Sequence, residues 1–314
     1  MTPNVVLVTG VGGYLGGNVA ARLAANPDIE RVIGVDTVPP RGGTGRAAFV
    51  RADIRNPLIA KVINSARVDT VVHAAPRRAQ HKELTVIGTM QLLAACQRSR
   101  AVRKLVVRST AAVYGASSRS PAAFTEDDAP RDLPASGYAR DAAEVEGYVR
   151  GFARRRPDVV TTTIRFADLI GADVDSVITR YFALPVVPTV LGFDARVQLL
   201  HGDDALAVLE RATLRDLPGV YNAGADGVLM LSQAIRRAGR VPLPVPRPAV
   251  PVLAKLFPGT RAADFSPDLV RYLNFGRVVD TGRLKTIFGF APRWTTARAF
   301  DDYVRGGGLR VEGS

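Results

Sequence analysis

Short apolar runs alternate with amphipathic stretches over the first 110 residues. Val5–Val8 is apolar and ends in Thr9-Gly10; glycines follow at Gly10, Gly13 and Gly16, and a helical pattern covers Asn18–Ala25. Apolar runs return at Arg31–Val35, ending at Asp36, at Phe49–Asp53, at Val68–His73 and at Lys104–Arg108, the last running into Ser109-Thr110. Helical patterns at Pro57–Ser65 and Glu83–Gln97 separate them. Strands that alternate with helices in this way predict an α/β fold, a doubly wound parallel sheet. Such a sheet gathers its strand C-termini at one edge. Here that edge collects the glycine turn, Asp36, Asp53, Ala74-Ala75 and Thr110. Ligands bind at that edge in open parallel sheets.

The later chain is less regular. Gly115–Ser136 is a long loop rich in Ser, Pro and Ala, a length that marks functional or mobile loops. A helix is predicted over Tyr138–Arg155, a sixth strand over Val159–Arg165 leaving through Asp168, a helix over Asp203–Arg215 and a strand over Gly219–Asn222. Pro185–Pro188 and Gly192–Arg196 read as irregular, and 240–259 is rich in proline. Asp280–Gly289 and Thr296–Arg305 read as closing helices, before a frayed tail. The expected division is a nucleotide-binding domain over 1–168 plus about 196–222, and a smaller C-terminal substrate lobe over about 169–195 and 223–314.

The glycine turn carries the first chemistry. A strand, a glycine turn and a helix let the backbone approach a pyrophosphate, and the helix N-terminus offers it N–H groups and a positive dipole end. A turn of this kind can also serve only to join a strand to a helix. Asp36 lies 20 residues beyond Gly16, at the tip of the second strand. A carboxylate there accepts both ribose hydroxyls of an adenosine and repels a 2′-phosphate, which favours NAD over NADP. The alternative is a surface aspartate in the turn before Pro39-Pro40. His73 reads as a satisfied strand-end residue rather than a ligand, and Asp203 or Asp204 as closing the domain rather than binding substrate.

Composition removes several classes. Of 314 residues, 47% are hydrophobic and 23% charged, as in an ordinary globular chain. One cysteine, Cys96, excludes a disulfide framework and a cysteine metal site, and fits a reducing cytoplasm. No metal site is expected. No apolar run approaches the roughly 18 residues of a membrane span, and a strand starting near Asn4 leaves no room for a signal peptide. The net charge of +13 would suit an anionic partner, but only five of the 42 basic residues are lysines, which reads as compositional bias. No nucleic-acid-binding motif appears, so no nucleic-acid partner is expected.

The segments TGVGGYLG at 9–16, VD at 35–36, ADIRNP at 52–57, DTVVHAA at 69–75, STAAVYG at 109–115, PASGYA at 134–139, IRFADLIG at 164–171 and LLHGDDA at 199–205 together are specific. With VVDTGRLKTIFGFAPRWT at 278–295, they make nearly the whole chain resemble the extended short-chain dehydrogenases/reductases, in the NAD-dependent epimerase/dehydratase branch. UDP-sugar 4-epimerases are similar through ADIRNP and DTVVHAA. The resemblance implies a Rossmann sheet, NAD as cofactor and a sugar-nucleotide or related hydroxyl substrate. It implies a homodimer through the helices at about 83–97 and 138–155. The backbone of Gly10, Gly13, Tyr14, Leu15 and Gly16 would hold the pyrophosphate, Asp36 the ribose, Asp53 and Ile54 the adenine. Ala74 and Ala75 would line the path to the nicotinamide, Thr110 would hydrogen-bond the reacting oxygen, and Tyr138 would act as acid/base and touch the cofactor. Asp168 and Arg196 fall where relatives contact substrate.

The pattern breaks at one position above all. Family members carry a lysine four residues after the tyrosine, one helical turn away, where its charge stabilises a phenolate. This chain has Ala142 there, and Arg140, two residues along, faces another side. Thr85 and Asp168 stand where relatives usually carry asparagines. Asp168 accepts rather than donates, and its charge would repel a diphosphate. The cofactor half therefore reads as intact and the chemical half as eroded: either an atypical oxidoreductase or a silenced NAD-binding protein.

Overall fold

The computed structural model describes residues 3–40, 42–43, 45–74, 82–130, 133, 137–246 and 266–307, with side chains 82–84 outside that description. Ala75, the first half of PASGYA (134–136), the proline-rich stretch beyond residue 246, the Lys82 side chain and the tail beyond residue 307 lie outside it. The described chain divides into two units. One comprises Met1–Ser109, Asp141–Arg165 and Ala205–Tyr221; the other comprises Thr110–Arg140, Phe166–Asp204 and Asn222–Ser314.

In the first unit the apolar runs form the expected alternation. It begins with β1 (Val5–Thr9), α1 (Tyr14–Ala25), β2 (Arg31–Asp36), β3 (Ala48–Arg51), α2 (Leu58–Ser65) and β4 (Thr70–His73). It continues with α3 (Lys82–Arg98), β5 (Lys104–Thr110), α4 (Tyr138–Arg155), β6 (Val160–Phe166), α5 (Gly202–Leu214) and β7 (Gly219–Ala223). The strands make one seven-stranded parallel sheet in the order β7-β6-β5-β4-β1-β2-β3. Thr9 is level with Val35 and His73, and His73 with Val107, so β1, β2 and β4 end within a residue of one line and β5 runs past it to Thr110. That line is the edge on which the sequence reading placed the ligand.

The strand period of two decides which helices cover which face. Val5, Leu7, Ile33, Val35, Val71, Leu105 and Val107 all pack into one buried cluster with Ile59, Ile63, Leu92, Cys96, Val145, Val149 and Phe152 from α2, α3 and α4. Ser109 continues the same parity and reaches α4. On the other parity Lys104, 2% exposed, sends Nζ to the carbonyls of Thr213 and Arg215 at 2.9 and 3.1 Å and to Asp216 at 2.8 Å. It thereby satisfies carbonyls left open at the end of α5, the role a cation plays best at a helix C-terminus. Arg156, one residue past the end of α4, donates to the carbonyls of Cys96, Gln97, Ser99 and Val102.

The second unit is built from short pairs around a cluster that includes Tyr181, Phe182, Val197, Leu199, Leu231, Ile235, Leu273, Phe300 and Tyr303. Asp168–Ile170 runs parallel to Leu199–His201, and Arg196–Val197 antiparallel to Leu229–Met230. Pro185–Pro188, expected to be irregular, runs into a real strand. Val186–Val190 pairs in parallel with Val241–Val245, with Pro188 level with Leu243. Prolines in both segments hide the period-two pattern. A two-stranded pair tolerates them because each strand keeps an open edge for the missing N–H. The described part of the long loop is pinned: Phe124 exchanges backbone bonds with Val278 and Asp280, and stacks at 4.8 Å on Tyr114. Asp280–Gly289 shortens to a helix at Gly282–Thr286, while Thr296–Arg305 has the expected bounds.

Candidate functional site

The glycine turn is packed so tightly that positions 16 and 17 admit only glycine without a shift of the backbone. Gly10 has φ +79°, left-handed backbone that side chains rarely adopt. A Cβ at position 16 would lie 2.2 Å from the Gly10 carbonyl oxygen, and one at 17 would lie 2.7 Å from that of Val11. At Gly13 the same test gives 3.4 Å, ordinary contact. Gly13 stands at the N-cap of α1 in extended conformation, and no side chain caps this helix end. Tyr14, Leu15 and Gly16 form the first turn, the part of a helix whose N–H groups can serve an anion.

Asp36 does more than its position at the tip of β2 announced. It is 8% exposed, and its Oδ2 accepts from the Gly12 N–H at 2.9 Å while Oδ1 accepts from Val38 N at 3.2 Å. The carboxylate therefore holds the glycine turn in shape. Asp53 accepts from the backbone of Arg55 at 2.9 Å and pairs with its guanidinium at 2.6 Å. The Arg55 guanidinium holds the Asp53 carboxyl below the usual carboxylate range. Ile54 is buried and closes on α3 so tightly that a Cβ at Gly88 would meet its Cδ1 at 2.7 Å. Ala74 is buried, its N–H donating to the Thr9 carbonyl.

His73 is a satisfied strand-end residue. Nδ1 is 2.7 Å from Thr9 Oγ1, and Nε2 is 2.9 Å from Thr89 Oγ1. Thr89 gives its own proton to the Thr85 carbonyl at 2.5 Å, so it accepts from Nε2–H, and Thr9 donates to Nδ1. Burial lowers the His73 pKa to about 4. The unfolded chain takes up this proton as pH falls through about 6.5, whereas the folded chain resists until about 4. The stability from the neutral ring is complete above about pH 6.5 and is lost on the way down, up to about 3 kcal/mol. Urea unfolding should show the native protein losing about 2–3 kcal/mol more between pH 7 and pH 4.5 than His73→Gln does. Equal losses would contradict this account of the ring.

In the first unit, α4 is fastened to the sheet by a buried charge cluster that the sequence reading did not find. Glu146, 3% exposed, accepts from Ser109 Oγ at 2.5 Å, from Arg165 Nε at 3.0 Å and from Arg165 Nη2 at 2.7 Å. The Ser109 hydroxyl is thus spent on structure. Ala142, one turn before Glu146, is 6% exposed.

The second unit holds the remaining site residues. Thr110 closes β5, and its Oγ1 accepts from Ala112 N at 3.2 Å, capping the short 3-10 turn Ala111–Tyr114. Its own proton remains to be given elsewhere. Tyr138 opens α4. Beside it, Asp268 accepts from Ala139 N at 3.2 Å, and a Cβ at Gly137 (φ +112°) would meet Asp268 Oδ2 at 2.9 Å. Burial raises the Asp268 pKa, opposed by its bond from Ala139. Nothing in the sequence ties residues 129 apart, so this contact was not legible. Asp168 is half-buried, and its charge adds to burial in raising the pKa of Tyr272. The Arg196 guanidinium donates to the carbonyls of Ala122 and Pro121 at 2.9 and 3.4 Å. Asp204 accepts from the N–H groups of Arg293 and Trp294, closing the domain as expected. No group of three or more metal-ligating side chains occurs among the described residues.

A parallel sheet with a glycine turn of this geometry, and an acid at the tip of the next strand, defines a dinucleotide-binding α/β protein. Comparison makes the class specific. The sequence profile of the NAD dependent epimerase/dehydratase family matches residues 6–224, and the chain belongs to that family. NAD is the family's cofactor, and the cradle at Gly10–Gly16 fits it. An uncharacterized protein of Mycobacterium tuberculosis is 52% identical over 98% of this chain and 85% of its own length. Among solved structures, a dTDP-glucose 4,6-dehydratase of Bacillus anthracis in complex with NAD superposes with a TM-score of 0.75 at 18% identity, over 97% of this chain and 96% of its own. A UDP-glucose 4-epimerase of Thermotoga maritima with UDP-glucose gives a TM-score of 0.72 at 20% identity, over 96% and 98%. At these identities the two structures speak for the fold.

Proposed function

We propose that this protein is an atypical NAD-dependent oxidoreductase of the epimerase/dehydratase type. It acts on a hydroxyl-bearing small molecule of the sugar-nucleotide kind or a relative of it. The observation that carries the reading is the glycine cradle with Asp36 bound to it, beside a chain that still has Thr110 at the end of β5 and Tyr138 at the start of α4. In this reading the α1 N-terminus holds the pyrophosphate, Asp36 the adenosine ribose, Asp53 and Ile54 the adenine, and Ala74 with Ala75 the nicotinamide side. NAD, when bound, supplies a hydride acceptor. Thr110 donates its free proton to the reacting oxygen, and Tyr138 takes or returns the hydroxyl proton. Asp168 and Arg196 stand on the substrate side. A homodimer through α3 and α4 completes the proposal; Ile87 and Met90 leave 44% and 43% of their surface exposed on α3.

Ala142 favours a second reading, a silenced NAD-binding protein. A free phenol titrates near 10 and is a poor base at neutral pH without a cation to stabilise its anion. The experiment that separates the two supplies NAD with a panel of UDP- and dTDP-sugars and reads the NADH absorbance band and the products. Under the first reading turnover is measurable, Tyr138→Phe abolishes it, and Ala142→Lys raises it by about tenfold or more. Binding of NAD without turnover in the native protein decides for the second reading.

A further inference from the structure

The last helix of the second unit, Thr296–Arg305, and the segment before it border a groove of about 940 Å³. Its wall includes Arg293, Trp294, Arg298, Asp301 and Arg305. We propose that this groove is a second ligand site, distinct from the glycine turn, and that it takes a nucleoside phosphate.

The floor of the groove is a fixed aromatic plane. The Trp294 indole stacks on the His201 ring, with centroids 4.4 Å apart and planes 21° apart. His201 is itself held: Nδ1 accepts from Asp203 N at 3.2 Å, which leaves the proton on Nε2, 3.2 Å from Asp302. The backbone at 293–294 is tied to Asp204 at 3.0 and 3.1 Å. Trp294 is nonetheless only half-buried. A held, partly uncovered ring can take a second flat ring without losing freedom of its own, which is how bases stack on protein aromatics.

The walls are positive. Arg293 and Arg298 are exposed, and their guanidinium groups make no hydrogen bond or ion pair among the described residues. The acids at the groove are already committed. Asp301 receives Arg237 at 2.7 and 2.8 Å, and Asp203 has an interaction of its own. What remains is two open guanidinium forks beside an indole. Arginine forks match phosphate oxygens in pairs, and such charge-assisted bonds are the strong ones. The volume is in the range that holds a small organic ligand rather than a bare ion. A ring to stack and a phosphate to grip together describe a nucleotide.

Trp294 is the only tryptophan of the chain, so its fluorescence reports on this groove alone. The test titrates ATP, adenosine and inorganic tripolyphosphate into the native protein and into the double variant Arg293→Ala/Arg298→Ala. ATP is expected to quench the emission to saturation, with adenosine and tripolyphosphate each binding about tenfold more weakly or less. The double variant, changed only at exposed positions, is expected to weaken ATP binding by about tenfold or more. Three outcomes overturn the proposal: no saturable change with ATP, an ATP affinity unchanged in the double variant, or tripolyphosphate bound as tightly as ATP.

Discussion

Gly16→Ala is expected to abolish useful NAD binding, lowering affinity by about 100-fold or more. The reason is a distance. The new Cβ would lie 2.2 Å from the Gly10 oxygen and 2.6 Å from the Gly10 carbonyl carbon. Both are backbone atoms, so no side chain can rotate away. Either the turn or the start of α1 must move by about an ångström, and the N–H groups proposed to hold the pyrophosphate move with it. Overpacking of this kind also costs about 1–3 kcal/mol of stability. Gly13→Ala supplies the comparison, because its Cβ meets the Gly10 oxygen at 3.4 Å. Calorimetric titration with NAD and urea unfolding of both variants check the pair. Gly16→Ala should lose binding and stability, and Gly13→Ala should keep its stability to within about 0.5 kcal/mol.

The second large effect is at Glu146. Its carboxylate is enclosed with the Arg165 guanidinium and the Ser109 hydroxyl. Glu146→Gln keeps the shape and removes the charge that faces a guanidinium only 4% exposed. Breaking a buried pair from one side typically costs about 3–5 kcal/mol, whereas replacing both partners by apolar groups can be nearly neutral. Glu146→Gln is therefore expected to lose about 3 kcal/mol or more in urea unfolding, and Glu146→Met/Arg165→Met clearly less than the sum of its single variants. Additive losses would show that the two side chains act independently.

The legibility of this chain follows physical range. β1, β2, β4 and β5 were readable because each is a short apolar run ending in a polar or small residue, and α4 was readable at both ends from its periodicity. The strand at Val186–Val190 was not, since Pro188 and the prolines at 242 and 244 erase the alternation that marks a strand. In the site, the glycine spacing, Asp36 and the missing lysine at Ala142 are local features of sequence. The bond from Gly12 to Asp36, the Glu146–Arg165–Ser109 cluster and the cap of Asp268 on Ala139 join residues 19 to 129 apart. Only folding brings such pairs together, and an aspartate that will cap a helix looks like any other aspartate.

The central claim is that the glycine turn and Asp36 form an NAD site. Parallel calorimetric titrations with NAD and NADP test it most directly. In the proposed site the Asp36 carboxylate takes the place of the 2′-phosphate of NADP, and like charges so close repel by more than about 1 kcal/mol. The account expects NAD to bind, with NADP weaker by about tenfold or more. Equal affinities, or a preference for NADP, would contradict it.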